Sequence, residues 1–438
     1  MTLLNFSEDE DMLGMKRNVV LALAVAAAVA TPAAFATNGY FQHGYGVKAQ
    51  GMGGAGVALP QDAMAAATNP AGMAMVGEHM DFGFMYFSPD RETNLSAPGS
   101  AVGKYTANET SYFLIPEFGW NTMLDKKMSV GVTVYGNGGM NTDYDRNIPM
   151  FSGSSTDEAG VDLSQLFIAP SVAFKLTNSQ SVGASLILAY QRFKAEGLAN
   201  FDAAAQSSAP GSVTNNGYDS STGIGIKLGW TGEMAPGMTL GATYQPKINM
   251  SKFTKYKGLF AEQGDFDIPS NYAVGIAVKV MPKLTVAFDY EEIKYTDSKS
   301  VSNPLGPVSA MGVLQNTLGN SNGAGFGWKD IAVYKLGLAY QFSAGTTLRA
   351  GWNHNDQPIP ASQTFFNILA PGVVTDHLTL GGTWKLGKES EVSAMYTRAF
   401  SEELKGSGSI PTAFQGYTKE ANLKMQQNSF SLGFGWNF

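Results

Sequence analysis

Apolar residues recur at every second position, run after run, along almost the whole chain. Phe430, Leu432, Phe434, Trp436 and Phe438 alternate with Ser429, Ser431, Gly433, Gly435 and Asn437. Ile224, Ile226, Leu228 and Trp230 alternate with Gly223, Gly225, Lys227 and Gly229 in the same way. A period of two means strands with two unlike faces. Fourteen strands are predicted, near 80–88, 110–121, 127–137, 161–176, 180–195, 221–233, 237–248, 270–281, 283–295, 330–343, 345–355, 375–387, 389–400 and 426–438. Every second connection is tight, as at Met123–Lys126, Thr177–Ser179 and Met234–Pro236, while those between are long. Short turns at one end and long loops at the other are the plan of a bacterial outer-membrane barrel.

The polarity of the two faces agrees. One carries Leu, Val, Phe, Tyr and Trp, the other Gly, Ser, Thr, Lys, Asp and Asn. Fourteen strands enclose a wide interior, so the small and polar face suits a lumen and the apolar face suits lipid. Closing the sheet satisfies every backbone group that lipid cannot. The expected fold is all-β, a 14-stranded antiparallel transmembrane barrel over residues 80–438, with residues 37–79 as an N-terminal hatch (plug) inside the lumen. A terminal aromatic residue such as Phe438, at the end of the last amphipathic strand, resembles the signal that barrel assembly machinery reads.

Residues 1–36 read as an address. Lys16 and Arg17 precede an apolar run from Val19 to Ala30, and Ala34-Phe35-Ala36 supplies small residues at −3 and −1. This is the pattern of a secretory signal peptide cleaved after Ala36, with residues 1–14 as an acidic leader that fits it badly. No later stretch offers ~18 consecutive apolar residues, which excludes helical spans. With no cysteine, the chain can hold neither a disulfide nor a thiolate metal site. A net charge of −7 argues against a nucleic-acid surface, so no nucleic acid, metal or cofactor is expected. The chain is placed in the bacterial outer membrane, crossing it many times among lipid and lipopolysaccharide.

Residues 37–79 do not alternate and are rich in Gly, Ala and Met. Within them Gly51-x-Gly53-x-x-Gly56 matches a dinucleotide fingerprint but lacks the βαβ context that gives the motif its chemistry. Tight turns and close packing against a barrel wall explain these glycines better. The run Ala49-Gln50-Gly51-Met52-Gly53-Gly54-Ala55-Gly56, then Asp62, then Asn69-Pro70-Ala71-Gly72-Met73, resembles the N-terminal hatch of the FadL family of outer-membrane transporters for long-chain fatty acids and aromatic hydrocarbons. Gly131 to Tyr144, with Asn137-Gly138-Gly139, is similar to that family's third strand. Trp328-Lys329-Asp330 is similar to its tenth strand, and Asp356-Gln357-Pro358-Ile359-Pro360 to the loop after its eleventh.

The resemblance implies passive uptake of long-chain fatty acids or similar hydrophobic small molecules. They would be captured among extracellular loops and released sideways at a kink in the third strand after the hatch moves. Glycine weakens strand pairing or marks a bulge, which puts the lateral opening at Gly136, Gly138 and Gly139. Asn69, Pro70 and Ala71 are expected beside that gap. Capture sites are apolar with a few polar anchors. Met140, Met150, Phe151, Phe365 and Phe366 are candidates for hydrocarbon contact, and packing of loops against one another is the competing explanation. Asp356, Pro358 and Pro360 form the loop motif. By resemblance, Lys329 and Arg192 would receive a carboxylate head group. Alternation nevertheless puts Arg192 on the face of Leu188 and Tyr190, the lipid side, unless a bulge reverses it.

Three alternatives stand beside this one. An uptake channel for aromatic hydrocarbons or alkanes has the same architecture. A general porin would ring its lumen with charge, whereas only 15 % of these residues are charged. An enzyme would need a catalytic constellation. Of the four histidines, His377 adjoins Asp376, but neighbours in a strand point to opposite faces.

Overall fold

A computed structural model describes residues 38–153 and 155–438; the signal peptide expected over 1–36 lies outside them. Fourteen strands form the wall. They are β1 (His79–Leu95), β2 (Phe113–Met123), β3 (Met128–Asp143), β4 (Gly160–Lys175), β5 (Gln180–Glu196), β6 (Asp219–Ala235) and β7 (Met238–Gln245). The series continues with β8 (Asn271–Met281), β9 (Leu284–Ile293), β10 (Ile331–Ser343), β11 (Thr346–Asn355), β12 (Asp376–Lys385), β13 (Ser390–Leu404) and β14 (Ala421–Asn437). Each pairs antiparallel with its neighbours in sequence, and β14 returns to β1 from His79↔Asn437 to Leu95↔Ala421, closing the barrel. A further strand, Gly103–Thr106, lies on the outer end of β1. Links at 124–127, 176–179, 236–237, 282–283, 344–345 and 386–389 are short and define the periplasmic end; the long loops define the extracellular one.

The outward face is apolar and bears aromatic residues towards both ends, at Tyr244, Tyr334, Trp352 and Tyr396 above and at Trp230, Tyr340, Trp384 and Trp436 below, all of them part- or fully exposed. Ile224, between the two belts, is 70 % exposed, as a lipid-facing side chain must be in a chain without its bilayer. The strands run further outward than the dyads first indicate. In β14, Ala421, Leu423 and Met425 are buried and Asn422 and Lys424 point out; below Ser429 the relation is reversed, with Phe430, Phe434 and Trp436 exposed. β1 does the same beyond Phe87, with Arg91, Thr93 and Leu95 inside and Asp90 and Asn94 outside. Above the lipid the outer face meets water, so the polarity of alternation inverts while the strand continues.

Residues 38–78 touch inward-facing groups of β2, β3, β5, β6, β7, β9, β10, β11 and β12, which only a segment inside the barrel can do. Glycines of the wall mark the contacts. A Cβ on Gly183 would sit 2.4 Å from the Pro70 carbonyl carbon, one on Gly229 1.9 Å from Asn69 Oδ1, and one on Gly351 2.1 Å from the Gly53 nitrogen. Polar side chains of the wall then grip this segment's backbone. Asp289 accepts from Gly56 N (2.7 Å) and Val57 N (3.0 Å), Glu117 from Gly46 N (3.0 Å), and Thr379 Oγ1 from Gly53 N (2.9 Å). The glycine-rich N–H groups that could cradle a phosphate are thus spent, those of Gly53 and Gly56 on the wall and those of Gly51 and Gly54 on carbonyls of their own segment. The largest apolar cluster fills the extracellular half, beneath the loops.

Candidate functional site

The site begins at a flaw in the wall. β3 pairs with β2 only from Met123↔Ser129 to Phe118↔Val134. Beyond that point β2, from Phe113 to Glu117, pairs with β1 alone, and β3, from Tyr135 to Asp143, pairs with β4 alone. The register of β3 on β4 slips between Gly136 and Gly138, leaving Asn137 as a bulged residue. Phe118 and Val134 face outward by alternation yet are only 1 % exposed, so the wall is indented here. Loop residues close the upper end of the gap: Asp145 N donates to Thr106 O (3.1 Å), and Glu109 N to Asp143 O (3.1 Å). The result is a window bounded below by Phe118 and Val134 and above by the 106–110 segment.

Residues 38–42 line the window from inside. Gly139 N donates to Tyr40 O (3.0 Å) and Gln42 N to Asn137 O (3.2 Å), a short antiparallel bridge centred on Phe41 and Gly138. A Cβ at Gly138 would lie 2.1 Å from Tyr40 O, which is why the backbones can meet only at glycine. Tyr45 Oη donates to Asn137 Oδ1 (3.1 Å), and Asn137 Nδ2 to Gln165 Oε1 (2.9 Å), so the bulged residue is held from both sides.

Above the bridge lies an aromatic chamber. The Tyr40 ring is 5.0 Å from Tyr295, 5.8 Å from Trp328 and 6.1 Å from Phe266. Tyr40 N donates to Tyr295 Oη (3.1 Å), and burial holds both phenols well above their ordinary pKa. Trp328 Nε1 donates to Asn367 Oδ1 (2.6 Å), tying the chamber to the loop that carries Phe365 and Phe366. Phe151 meets Phe365 at 5.3 Å, and Phe201 meets Phe366 at 5.3 Å. Met140, Met150, Phe151, Phe365 and Phe366 therefore fall into one buried cluster.

The expected cations do not join it. Lys329 is exposed while Trp328 is buried, since successive residues of an extended segment point opposite ways. Arg192 stays on the outer face, because β5 pairs with β6 from Gln180 to Phe193 without a register shift. Its guanidinium lies 4.5 Å from the Tyr218 ring centroid and its Nε donates to Ser164 Oγ (3.2 Å). Neither residue can meet a head group inside the chamber. Asn69, Pro70 and Ala71 are also displaced from the expected place beside the gap. Asn69 Nδ2 donates to Val57 O (2.8 Å) and Trp230 O (3.0 Å), and Ser181 Oγ donates to Ala71 O (2.7 Å), which seats the motif on β5 and β6. The window is backed by residues 38–42 instead. Asp356 exchanges backbone and side-chain bonds with Ala332, both at 3.0 Å, and Lys329 N donates to Pro358 O (2.9 Å). Pro360 O accepts from Gln363 N (2.8 Å), so this loop motif clamps the 356–375 loop over the start of β10.

Tyr40, Phe41, Tyr295, Asn367 and Arg91 were not singled out by the sequence. Arg91 could have been, from its place in the inverted alternation Phe87-x-Pro89-x-Arg91-x-Thr93-x-Leu95. At the periplasmic rim, His79, Asp81 and Glu391 bring ligand atoms within 4.8 Å of one another. His79 Nδ1 is bonded to Asp81 (2.6 Å) and the Lys48 ammonium contacts Glu391, so the group acts as a polar tie between wall and interior segment. Next to it, burial and then Asp81 push the Asp62 carboxyl up to about 6. His43 stacks on His377 at 5.9 Å, and burial, then His377, lowers its pKa to about 3.

A family model described as outer membrane protein transport protein (OMPP1/FadL/TodX) matches residues 23–438. No curated protein is detectably similar in sequence. Among solved structures, a Pseudomonas aeruginosa FadL homologue superposes with a TM-score of 0.69 at 16 % identity, covering 91 % of this chain and 100 % of its own. The Ralstonia pickettii toluene transporter TbuX gives 0.64 at 18 %, covering 90 % and 99 %. The Pseudomonas putida toluene transporter TodX gives 0.62 at 18 %, with the same coverage. At such identities the likeness speaks for the fold.

Proposed function

Since the chain belongs to the OMPP1/FadL/TodX family of outer-membrane transport proteins and so moves hydrophobic compounds across that membrane, we propose that it takes up long-chain fatty acids or similar apolar molecules by lateral diffusion. Loops capture the molecule in the aromatic and methionine-rich cluster. It passes the chamber of Tyr40, Tyr295 and Trp328, and it leaves through the window between β2 and β3 once residues 38–42 withdraw. The observation that carries this reading is the stretch of β3 that leaves β2 and is backed by residues 38–42 rather than by a strand. No energy source is needed, because each methylene leaving water for lipid gains ~0.8 kcal/mol. A water-filled sieve fits poorly with an interior occupied by residues 38–78. A second reading, uptake of monoaromatic hydrocarbons, is favoured by the aromatic chamber and by the likeness to toluene transporters.

The chain has no cysteine of its own, so one engineered disulfide can lock the window. Gln42 N and Asn137 O meet at 3.2 Å, and cysteines at these two positions are expected to stop uptake until reduced. Undiminished uptake of both oleate and toluene by the oxidised barrel would exclude the lateral route.

A further inference from the structure

Three buried side chains come together inside the barrel with polar atoms that no other group uses. His43 directly follows the window-lining residues 38–42, and His377 faces inward from β12. They are 1 % and 0 % exposed. Their ring centroids lie 5.9 Å apart, with the planes 16° from parallel. His43 Nε2 and both ring nitrogens of His377 have no hydrogen-bond partner among the described residues. Asn353 is directly opposite His377 in the pairing of β11 with β12, so the two side chains share a face. It is equally buried; its Nδ2 donates to Gly53 O (3.3 Å), while its Oδ1 has no such partner either. Each unmade bond of this kind costs ~1–3 kcal/mol, so four orphaned atoms in one place mark a site that a further atom completes. Burial, then the second imidazole, lowers the pKa of His43 to about 3, which keeps its lone pair available at neutral pH. Lys335, across from Asn353, has its charge offset by Glu291 (2.7 Å) and by Asp289 opposite it.

We propose that His43, His377 and Asn353 bind a divalent d-block metal ion such as Zn²⁺. Two imidazole nitrogens favour zinc, copper or nickel over magnesium and calcium. With each nitrogen ~2.0–2.1 Å from a shared ion, two imidazoles hold their centroids roughly 5–6 Å apart, the spacing already present. Asn353 Oδ1 supplies a third, weaker bond, and solvent completes the set. The rim group of His79, Asp81 and Glu391 offers another set of donors, but there the Lys48 ammonium already contacts Glu391 and stands 3.8 Å from Asp62. His43 is the next residue after Gln42, whose N–H bonds Asn137 O (3.2 Å). An ion on His43 therefore fastens residues 38–42 to β12 and clamps the backing of the window. The binding site stands on these side chains alone; only the consequence for the window rests on the transport reading above.

The test titrates Zn²⁺ into the full barrel, stripped with chelator, in a neutral detergent at pH 7. Wild type is expected to take up one equivalent at micromolar concentration, and Co²⁺ in its place should show the visible absorption bands of a four-coordinate site. His43→Gln and His377→Gln should each weaken binding by about tenfold or more, no less than loss of an outer-shell partner costs. His79→Gln and His354→Gln should stay within about twofold. Zn²⁺ should slow hydrogen exchange at the Gln42 amide by about tenfold in wild type and leave it unchanged in His43→Gln. The Co²⁺ bands of wild type test the site even where a variant fails to assemble. Absence of those bands, Zn²⁺ binding only at millimolar concentration, binding that survives both His43→Gln and His377→Gln, or binding lost with His79→Gln instead would overturn the site and leave the transport reading untouched. Unaltered Gln42 exchange in the zinc-loaded barrel would overturn the clamp. If exchange slows yet oleate and toluene both still pass at the unloaded rate, the site stands and the lateral route has failed.

Discussion

Replacing Gly138 by alanine isolates the contact between β3 and residues 38–42. The new Cβ would stand 2.1 Å from Tyr40 O, about an ångström inside van der Waals contact, and the obstacle is backbone that no rotamer change can move. The segment must retreat, and with it go the bonds Gly139 N to Tyr40 O (3.0 Å) and Gln42 N to Asn137 O (3.2 Å). At about 1 kcal/mol net for each, the closed arrangement weakens by ~2 kcal/mol, roughly a thirtyfold shift towards the open one. Hydrogen exchange at the Gln42 and Gly139 amides reads this directly, and both should exchange about thirtyfold faster in Gly138→Ala. Gly416, whose Cβ position is open, provides the control substitution. The fourteen-strand wall is untouched, so the shift in gel mobility on boiling should persist. Unchanged exchange at both amides would refute the claim that glycine is required there for closure.

Three other outcomes are expected. Asp289→Ala leaves the Gly56 and Val57 N–H groups without their acceptor, weakening the interior segment's hold by ~2–3 kcal/mol; protease cleavage within residues 50–60 should accelerate, while the barrel stays intact. Ile224→Lys puts a charge on the outward face between the belts and should cost ~2–4 kcal/mol, lowering the unfolding midpoint in lipid vesicles. In the folded chain Asp62 binds a proton below about pH 6, well before an unfolded carboxyl does. Resistance to unfolding should therefore rise as pH falls from about 6 towards 4, and Asp62→Asn should flatten that slope.

The dyads and the parity of the loops made the wall legible, because lipid outside and small or polar groups inside impose opposite demands on adjacent residues. Strand ends were not legible by the same rule. In β1 and β14 the pairing continues past the lipid, where water replaces acyl chains and the apolar side turns inward. A reader tracking one polarity stops at Ser88 or starts at Gln426. The apolar loop residues could be named because Met150, Phe151, Phe365 and Phe366 have no other use for their side chains in a wet loop. Among the charged residues, alternation places Arg192 on the outer face, and it stands there because β5 keeps its register on β6. Lys329 was named for its neighbourhood, and the neighbour, Trp328, is the one that turns in. Asn69-Pro70-Ala71 sits on β5 and β6 because the path of residues 38–78 is set by contacts with distant strands, which no local pattern encodes.

The inverted alternation has a consequence for the route in. From Tyr86 on the upper belt to Leu95, β1 runs nine residues further out, which at ~3.4 Å per residue and a tilt near 40° lifts its end roughly 20 Å above the acyl chains. The barrel is thus a chimney with an oily lining and a wet exterior, standing clear of the bilayer. On the route proposed above, a greasy molecule arriving from outside would enter at the top of that flue and descend without dissolving in the sugar and phosphate layer around it.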